Sequence, residues 1–396
     1  MSNMFGFSRA VIAALVVLCC SNALRRNCPV VTGHVGIGPF SGNDTVHINL
    51  DGVEVIEGTL GEYPYTPRDY LLTQPSYTLS RIHAYDLVDL DLTSLHSADS
   101  ITLGSPNLHT LHHTKLRNAT SLSIHSMQIN SLDSLSDNEL NLEKLYINGP
   151  FPNVNSIAIG CTSVDYMQVL DNSSVTLGGS STKEMTIKQL DLNSITGLKR
   201  SATLQTLEVD SMKLSGPIHI THLKIPFDNL RELQVLQQEN SPLKTITLPP
   251  KAVDWTGGFG LVVTGGPDLN LTSRYGADDQ GKRIQTWYWP KNVLLIDISG
   301  ATVGNTFFDS FVTQQMGLNK DFPPSVLSDF RIVPSANSTT FNCTTFRELE
   351  GMGRLPSDGY EFSCYDPYLA SGAIRVHVPI TLSFVSAVLG ICIWMI

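Results

Sequence analysis

One short frame recurs through the middle of this chain: a polar residue, an apolar one, any residue, a second aliphatic, then a turn-prone segment. It reads SITLGSP (100–106), SLSIHSM (121–127), KLYINGP (144–150), SIAIGCT (156–162), EMTIKQL (184–190), TLEVDSM (206–212), ELQVLQQ (232–238) and GLVVTGG (260–266). Start-to-start spacings are 21, 23, 12, 28, 22, 26 and 28 residues. Most fall in the 20–29-residue range of leucine-rich solenoids, and the interval of 12 predicts a second strand within one circuit of the chain. A strand with two inward residues, such as Leu122 and Ile124, cannot bury enough surface alone. Stacking such strands at about 4.8 Å makes a continuous core and pairs each strand with its neighbours. Leucines between the strands, among them Leu108, Leu116 and Leu198, with Ile195, supply a second buried layer. The spacing is too irregular for a leucine-rich repeat with its Asn ladder, a position that Asn148 fits and most circuits leave empty. The predicted fold class is therefore mainly β, a right-handed β-solenoid with coils of variable length. TVHINLD (45–51), RIHAYDL (81–87) and VLLIDISG (293–300) continue the frame, and 62–77 and 265–290, where it breaks, read as insertion loops.

Both ends are apolar. Arg9, the uncharged run Ala10–Cys20 and the small residues Ser21 and Ala23 make residues 1–23 a signal peptide cleaved after Ala23. An anchor helix is the alternative, but the run is too short to span a hydrocarbon core. At the other end Val378–Ile396 is uncharged, behind Arg375, His377 and the small residues Ser371-Gly372-Ala373. This order is that of a glycosylphosphatidylinositol (GPI) signal, with attachment at Ser371 or Gly372 and 372–396 removed. An ordinary transmembrane helix is the alternative, though no Lys or Arg follows it. An ectodomain of residues 24–365 on a short stalk, 366–371, is expected at the outer face of the plasma membrane or in the cell wall. Its surface is polar mainly through hydroxyls and amides: Ser and Thr number 72, against 26 basic and 36 acidic residues. A net charge of −10 excludes a basic nucleic-acid binder.

Three segments carry a family resemblance: CPVVTGHVGI (28–37), INSLDSLSDNELNLEKLYINGP (129–150) and DFRIVPSANSTTFNCTTFRELEGMGRLPSDGYEFSC (329–364). With the two end signals, they resemble the fungal GPI-anchored cell-wall organisation proteins, whose ectodomain is similar to the receptor L domain. The resemblance implies L-domain-like coils, a C-terminal cap over 329–364 with paired cysteines, and a non-catalytic role in wall organisation and integrity. Its partners would be cell-wall polysaccharide or wall and membrane glycoproteins, with the membrane reached through the GPI lipid. The chain departs from the family in lacking a Ser/Thr-rich stalk, since only Tyr365–Ala370 separates Cys364 from Ser371.

Outside the two end signals the cysteines are Cys28, Cys161, Cys343 and Cys364. Cys343 and Cys364 lie in one terminal segment and can close the cap. Cys28 and Cys161 stand several coils apart, roughly 20 Å at the strand spacing, too far for a disulfide. Cys161 is thus expected as a buried free thiol, and Cys28 as free or bridged to another chain. Asn43, Asn118, Asn172, Asn270, Asn337 and Asn342 head N-glycosylation triplets.

Chemistry finds little footing. Asp278-Asp279, in RYGADDQGKRIQ (274–285), is the one acid pair that suggests a β-helical glycosidase or lyase, but no second matching pair accompanies it. His109, His112, His113 and His125 lack Cys or Glu at ligand spacing and read as half-exposed polar residues. No nucleophile elbow, zinc-protease motif or phosphate loop occurs, and neither a metal nor a cofactor is expected. Trp255, Trp287, Tyr288 and Trp289 offer flat rings that either stack on sugars or pack a loop against the coils. Three functions stay open at this level: a structural wall glycoprotein, a receptor-like module for a protein or glycan, and a wall-remodelling glycosidase or transglycosylase.

Overall fold

The computed structural model describes residues 156–367, except 239–240, 278–281 and 358–360, and upstream the segments 16–17, 30–32, 35–37, 46–49, 55–62, 87–91, 94–104, 107–112, 116–125 and 140–149. Strands make up 46% of the chain against two α-helices among the described residues, so the class is mainly β. Fifteen of the described strands form one sheet. Its pairings are parallel except that of Val16–Val17 with Val35 and Gly36.

Ser97, Asn118, Asn141, Ser163, Thr186, Glu208 and Asn229 stand opposite one another in register along this main sheet. Their separations are 21, 23, 22, 23, 22 and 21 residues, so the period is regular where the frame made it look erratic. The difference has two sources: the frame passed over the strand Ser163–Leu170, and it matched the strands Glu184–Asn193 and Thr206–Ser215 five residues earlier in register than the others. Farther along, Leu233, Leu261, Ile296, Phe330 and Phe362 are in register at longer intervals of 28, 35, 34 and 32 residues.

Between main-sheet strands the chain makes short strands on a second side. These pair in parallel as 46–49 with 87–91 and 110–112, 156–159 with 174–177 and 197–200, 222–224 with 245–247, and 270–271 with 302–303. Backbone bonds bridge the gaps between these sheets, His219 N–H to Ile195 O at 3.4 Å and Asn270 N–H to Lys244 O at 2.8 Å. SIAIGCT contributes the Ser156–Ile159 strand of this second side, as its 12-residue offset from KLYINGP predicts. The alternation is compatible with a solenoid.

The central main-sheet strands turn three residues inward in the pattern apolar-x-x-apolar-x-apolar. Val164, Met167 and Val169 do so on one strand, Ile187, Leu190 and Leu192 on the next, and Val209, Met212 and Leu214 on a third, all at most 1% exposed. The two consecutive outward residues, such as Asp165 and Tyr166, break the two-residue alternation of a straight strand and recur at one register position. Burying each Leu, Ile or Met side chain contributes about 1.5–3 kcal/mol, so the core is distributed evenly along the stack. Cys161 lies in this interior at 1% exposure, and burial pushes its thiol up to about 12, so it stays protonated and unreactive at neutral pH.

The corner after the Val293–Ser299 strand is tight. Gly300 takes φ +75°, and a Cβ there would stand 2.2 Å from the Gly265 carbonyl oxygen of the neighbouring corner. Ser194 occupies the equivalent corner at φ +58° without being glycine. Ser194→Gly is expected to raise unfolding stability by about 1 kcal/mol, because the left-handed backbone costs a side chain about that much. Urea midpoints of the two proteins measure it, and an unchanged or lower midpoint contradicts it.

The insertion expected over 265–290 is narrower. Asn270 and Leu271 pair in parallel with Thr302 and Val303, keeping the second side going, and only the antiparallel hairpin of Tyr275–Ala277 and Arg283–Gln285 leaves the pattern. The insertion read over 62–77 lies, apart from Glu62, outside the described residues, as do Cys28 and Asn43.

The C-terminal cap is also built differently. Asp329–Val333 and Phe362–Cys364 extend the main sheet, and the helices α1 (Asp309–Gln315) and α2 (Thr344–Gly351) lie in the connections between the last three main-sheet strands, α1 after the short strand Thr302–Val303. Phe307, Phe308, Phe311, Phe330, Phe341 and Phe346 fill the space beneath, each at most 1% exposed. Two glutamines of α1 are buried with partners: Gln314 donates to Pro323 O at 2.8 Å, while Gln315 donates to Ser325 O and accepts from the Ser325 N–H at 2.7 Å. Cys343 and Cys364 form a disulfide, which ties the start of α2 to the last main-sheet strand. No helix among the described residues is long and apolar enough to cross a membrane.

Candidate functional site on the outer face of the main sheet

All-parallel sheets are ordinarily covered on both faces. Along the central strands of this one the described outward residues are exposed or half-buried, and they form columns of polar side chains at successive registers. One column runs Ser121, Lys144, Tyr166, Gln189, Ser211, Glu232, and the next runs Ser123, Tyr146, Gln168, Asp191, Lys213, Gln234. Cross-strand neighbours in such columns interact in the way i, i+4 pairs do on a helix.

At the bend, Asp165, Lys188, Asp210 and Arg231 make a third column of alternating charge, with Lys188–Asp165 at 2.7 Å and Arg231–Asp210 at 3.6 Å. Hydrogen bonding to Asp165 raises the Lys188 pKa. These groups are largely solvated, so they favour correct register more than they add stability. A shallow groove of about 330 Å³ beside them is lined by Asp99, Thr120, Asn141, Glu143 and Asp165 among others.

Comparison with protein-family models, curated proteins and solved structures gives no match.

The densest network on the face surrounds Tyr166. Its hydroxyl donates to Asp191 Oδ2 at 3.0 Å and accepts from Gln168 Nε2 at 3.2 Å, while Gln189 Nε2 donates to Asp191 Oδ1 at 3.3 Å. Desolvation, then the Asp191 hydrogen bond and charge, push the Tyr166 phenol up to about 12, so it remains a neutral donor. The Tyr146 ring lies 5.7 Å from it, tilted by 55°. On the adjoining column Asn148 Nδ2 bonds His125 Nδ1 at 3.0 Å, and Asn148 Oδ1 is buried without a partner.

Near the C-terminal end Asp297 faces Arg331 in register, and Asp329 lies one register position away. Burial raises the Asp297 carboxyl pKa, with Arg331 pulling the other way; burial, then Asp297, raises that of Asp329. A carboxyl whose pKa is raised on folding holds its proton more tightly in the folded chain, so stability present at low pH is lost as pH rises through the folded value. The contribution of these two carboxyls to the thermal midpoint is therefore expected to rise as pH falls from 7 towards the ordinary carboxylate value of 3.8. In Asp297→Asn the rise should shrink, and an equal rise in both proteins would show that these carboxyls are not responsible.

The tryptophans are not on this face. Trp255, Trp287 and Trp289 are 5%, 1% and 5% exposed, and only Tyr288 is half-buried. Trp287 and Trp289 pack against each other and against Phe307 with centroids 4.9–5.4 Å apart, and Trp289 Nε1 donates to Phe307 O at 2.9 Å. Stacking of these indoles on sugar is corrected on that ground, because their faces are covered by protein. On the outer face of the central strands the rings are Tyr146, within the frame match KLYINGP, and Tyr166, within the strand that the frame passed over. Their outward position beside the bend was the signal.

Asn172, Asn270, Asn337 and Asn342 are exposed, and Asn118 starts a main-sheet strand. Asn270 Oδ1 accepts from Thr272 N–H and Oγ at 2.9 and 2.6 Å, a local turn within its own triplet. His109 is exposed, and His125 is bonded to Ser123 Oγ at 2.7 Å. Among the described residues no group of three or more His, Cys, Asp or Glu is placed to hold a metal ion. Asp278, Asp279, His113, Ser371 and Gly372 lie outside the described residues.

Proposed function

We propose that the chain is a GPI-anchored surface glycoprotein that contributes to fungal cell-wall organisation and integrity without catalysing a reaction. Its ectodomain is a right-handed β-solenoid of receptor L-domain-like coils, held at the outer face of the plasma membrane or in the wall. The observation that carries this reading is the run of exposed and half-buried polar columns along the described parallel sheet, since such a surface over a repetitive core suits the display of an extended binding face. The end signals, the four exposed sequon asparagines and the disulfide support an extracytoplasmic setting. Wall polysaccharide or neighbouring glycoproteins are the partners.

Release from intact cells tests the anchor. Phosphatidylinositol-specific phospholipase C should liberate the protein if it is membrane-held, and glucanase if it is wall-linked. Extraction by detergent alone would overturn the GPI reading. A receptor-like module is the second reading, favoured by the pre-bonded Tyr166 network, which is more ordered than a passive surface requires. The glycosidase or transglycosylase reading depends on Asp278 and Asp279, and replacing either with Asn would abolish hydrolysis or transfer if it were correct.

A further inference from the structure

We infer that the outer face of the main sheet around Tyr146 and Tyr166 is a binding site for a neutral, extended chain of equatorially linked hexopyranoses. The inference rests on the proposed role of the outer face and gives that face a ligand class. Among the described residues of the two central outward columns, Tyr146 and Tyr166 are the only rings, and they sit on adjacent strands. Tyr166 is fixed from both sides by Asp191 and Gln168, so its half-exposed ring is oriented before any ligand arrives. Pre-orientation of this kind lowers the ordering cost of binding.

The surrounding groups are those that recognise sugar hydroxyls. Gln168 and Gln189 use their amide nitrogens within the face, and their carbonyl oxygens make no hydrogen bond among the described residues. The Tyr146 hydroxyl has no hydrogen bond among the described residues. A pyranose ring presents apolar C–H groups on its flat side and hydroxyls around its rim, which matches a tyrosine pair framed by amides and a carboxylate. Indole and phenol rings with one apolar and one wet end serve such mixed contacts generally.

Charge argues for a neutral ligand. Lys144 and Lys213 stand beside Glu143 and Asp191, so this patch is balanced within a chain of net charge −10. Shape argues for an extended one. Strands succeed one another at about 4.8 Å, and a flat β-linked chain advances per sugar by a similar distance, so successive rings would meet equivalent outward positions. An aliphatic protein partner fits less well, because Leu170, 36% exposed, is the nearest exposed large hydrophobic residue on this face.

Calorimetric titration of the full-length protein with cellohexaose, laminarihexaose and the axially linked maltohexaose tests the inference. At least one of the first two should bind saturably and more tightly than maltohexaose. Tyr146→Ala and Tyr166→Ala should each weaken that binding by about tenfold or more, while Tyr275→Ala, on the hairpin, leaves it unchanged. Because Tyr166→Ala could disturb the sheet, Tyr166→Phe is measured alongside: with the ring kept, it should lose only about threefold. No binding to either β-linked hexamer, equal binding of maltohexaose, or binding indifferent to both alanine variants would overturn the site. None of these results bears on release by phospholipase or glucanase, so the anchor reading stands or falls separately.

Discussion

Trp289→Ala is expected to lower unfolding stability by about 4 kcal/mol, the largest effect of any single side-chain truncation in the C-terminal half. The Trp289 indole contacts Trp287, Phe307, Phe308 and Phe311 at centroid distances of 5.3–5.6 Å, so truncation opens a cavity bounded by rigid rings that cannot collapse into it. It also leaves Phe307 O without the N–H that bonds it. Urea unfolding followed by circular dichroism measures the loss. Tyr275→Ala on the hairpin, where the ring is 37% exposed between two arginines, should change stability by no more than about 0.5 kcal/mol. Were Trp289→Ala to fold with near-normal stability, the aromatic cluster would be a surface feature and the sugar-stacking reading of the tryptophans would return.

The second large effect concerns the cap. Replacing Cys343 and Cys364 together with Ala should cost about 3 kcal/mol, the closure entropy of a loop with a sequence separation of 21. Reductant added to the unmodified protein should produce the same shift in midpoint, and the double variant should no longer respond to it. A response to reductant that survives in the double variant would locate the sensitive bond elsewhere in the chain.

Much of this architecture was legible because burial imposes a repeat. Leu122 and Ile124, Leu145 and Ile147, and Leu233 and Val235 are the last two inward residues of their strands, and there the short frame detects that pair. In EMTIKQL and TLEVDSM it falls instead on Met185 with Ile187 and on Leu207 with Val209, ahead of the two outward positions at the bend, which sets those two matches five residues early in register. Ser163–Leu170 escaped because SIAIGCT, immediately before it, satisfied the frame and filled the interval. With that strand absent and those two matches offset, the period looked irregular, although the register is almost constant there. The second side was legible only in part, since strands of two or three residues such as His222–Lys224 carry too few inward residues to show a pattern.

The site was less legible than the fold. Tryptophan draws attention in a sequence, yet a large apolar ring is more readily buried than displayed, and Trp255, Trp287 and Trp289 follow that rule. Tyr146 and Tyr166 are unremarkable within LEKLYIN and VDYMQVL. Only the pairing of Lys144 with Tyr166 and of Tyr146 with Gln168 across the strands brings rings, amides and carboxylate together. The Cys343–Cys364 pair and the isolation of Cys161 were readable because strand spacing limits how far a disulfide can reach.

The disulfide also governs how the chain would answer a mechanical load. Tension entering from residues beyond 367 meets Cys364 in the outermost strand, which by itself would peel from the sheet edge one hydrogen bond at a time. The Cys343–Cys364 bond passes that tension directly to the start of α2 and takes the intervening loop out of the stretched path. A tether at this end would therefore pull first on the segment leading back to Asp329–Val333, whose strand is paired on both sides, rather than on the free edge of the sheet.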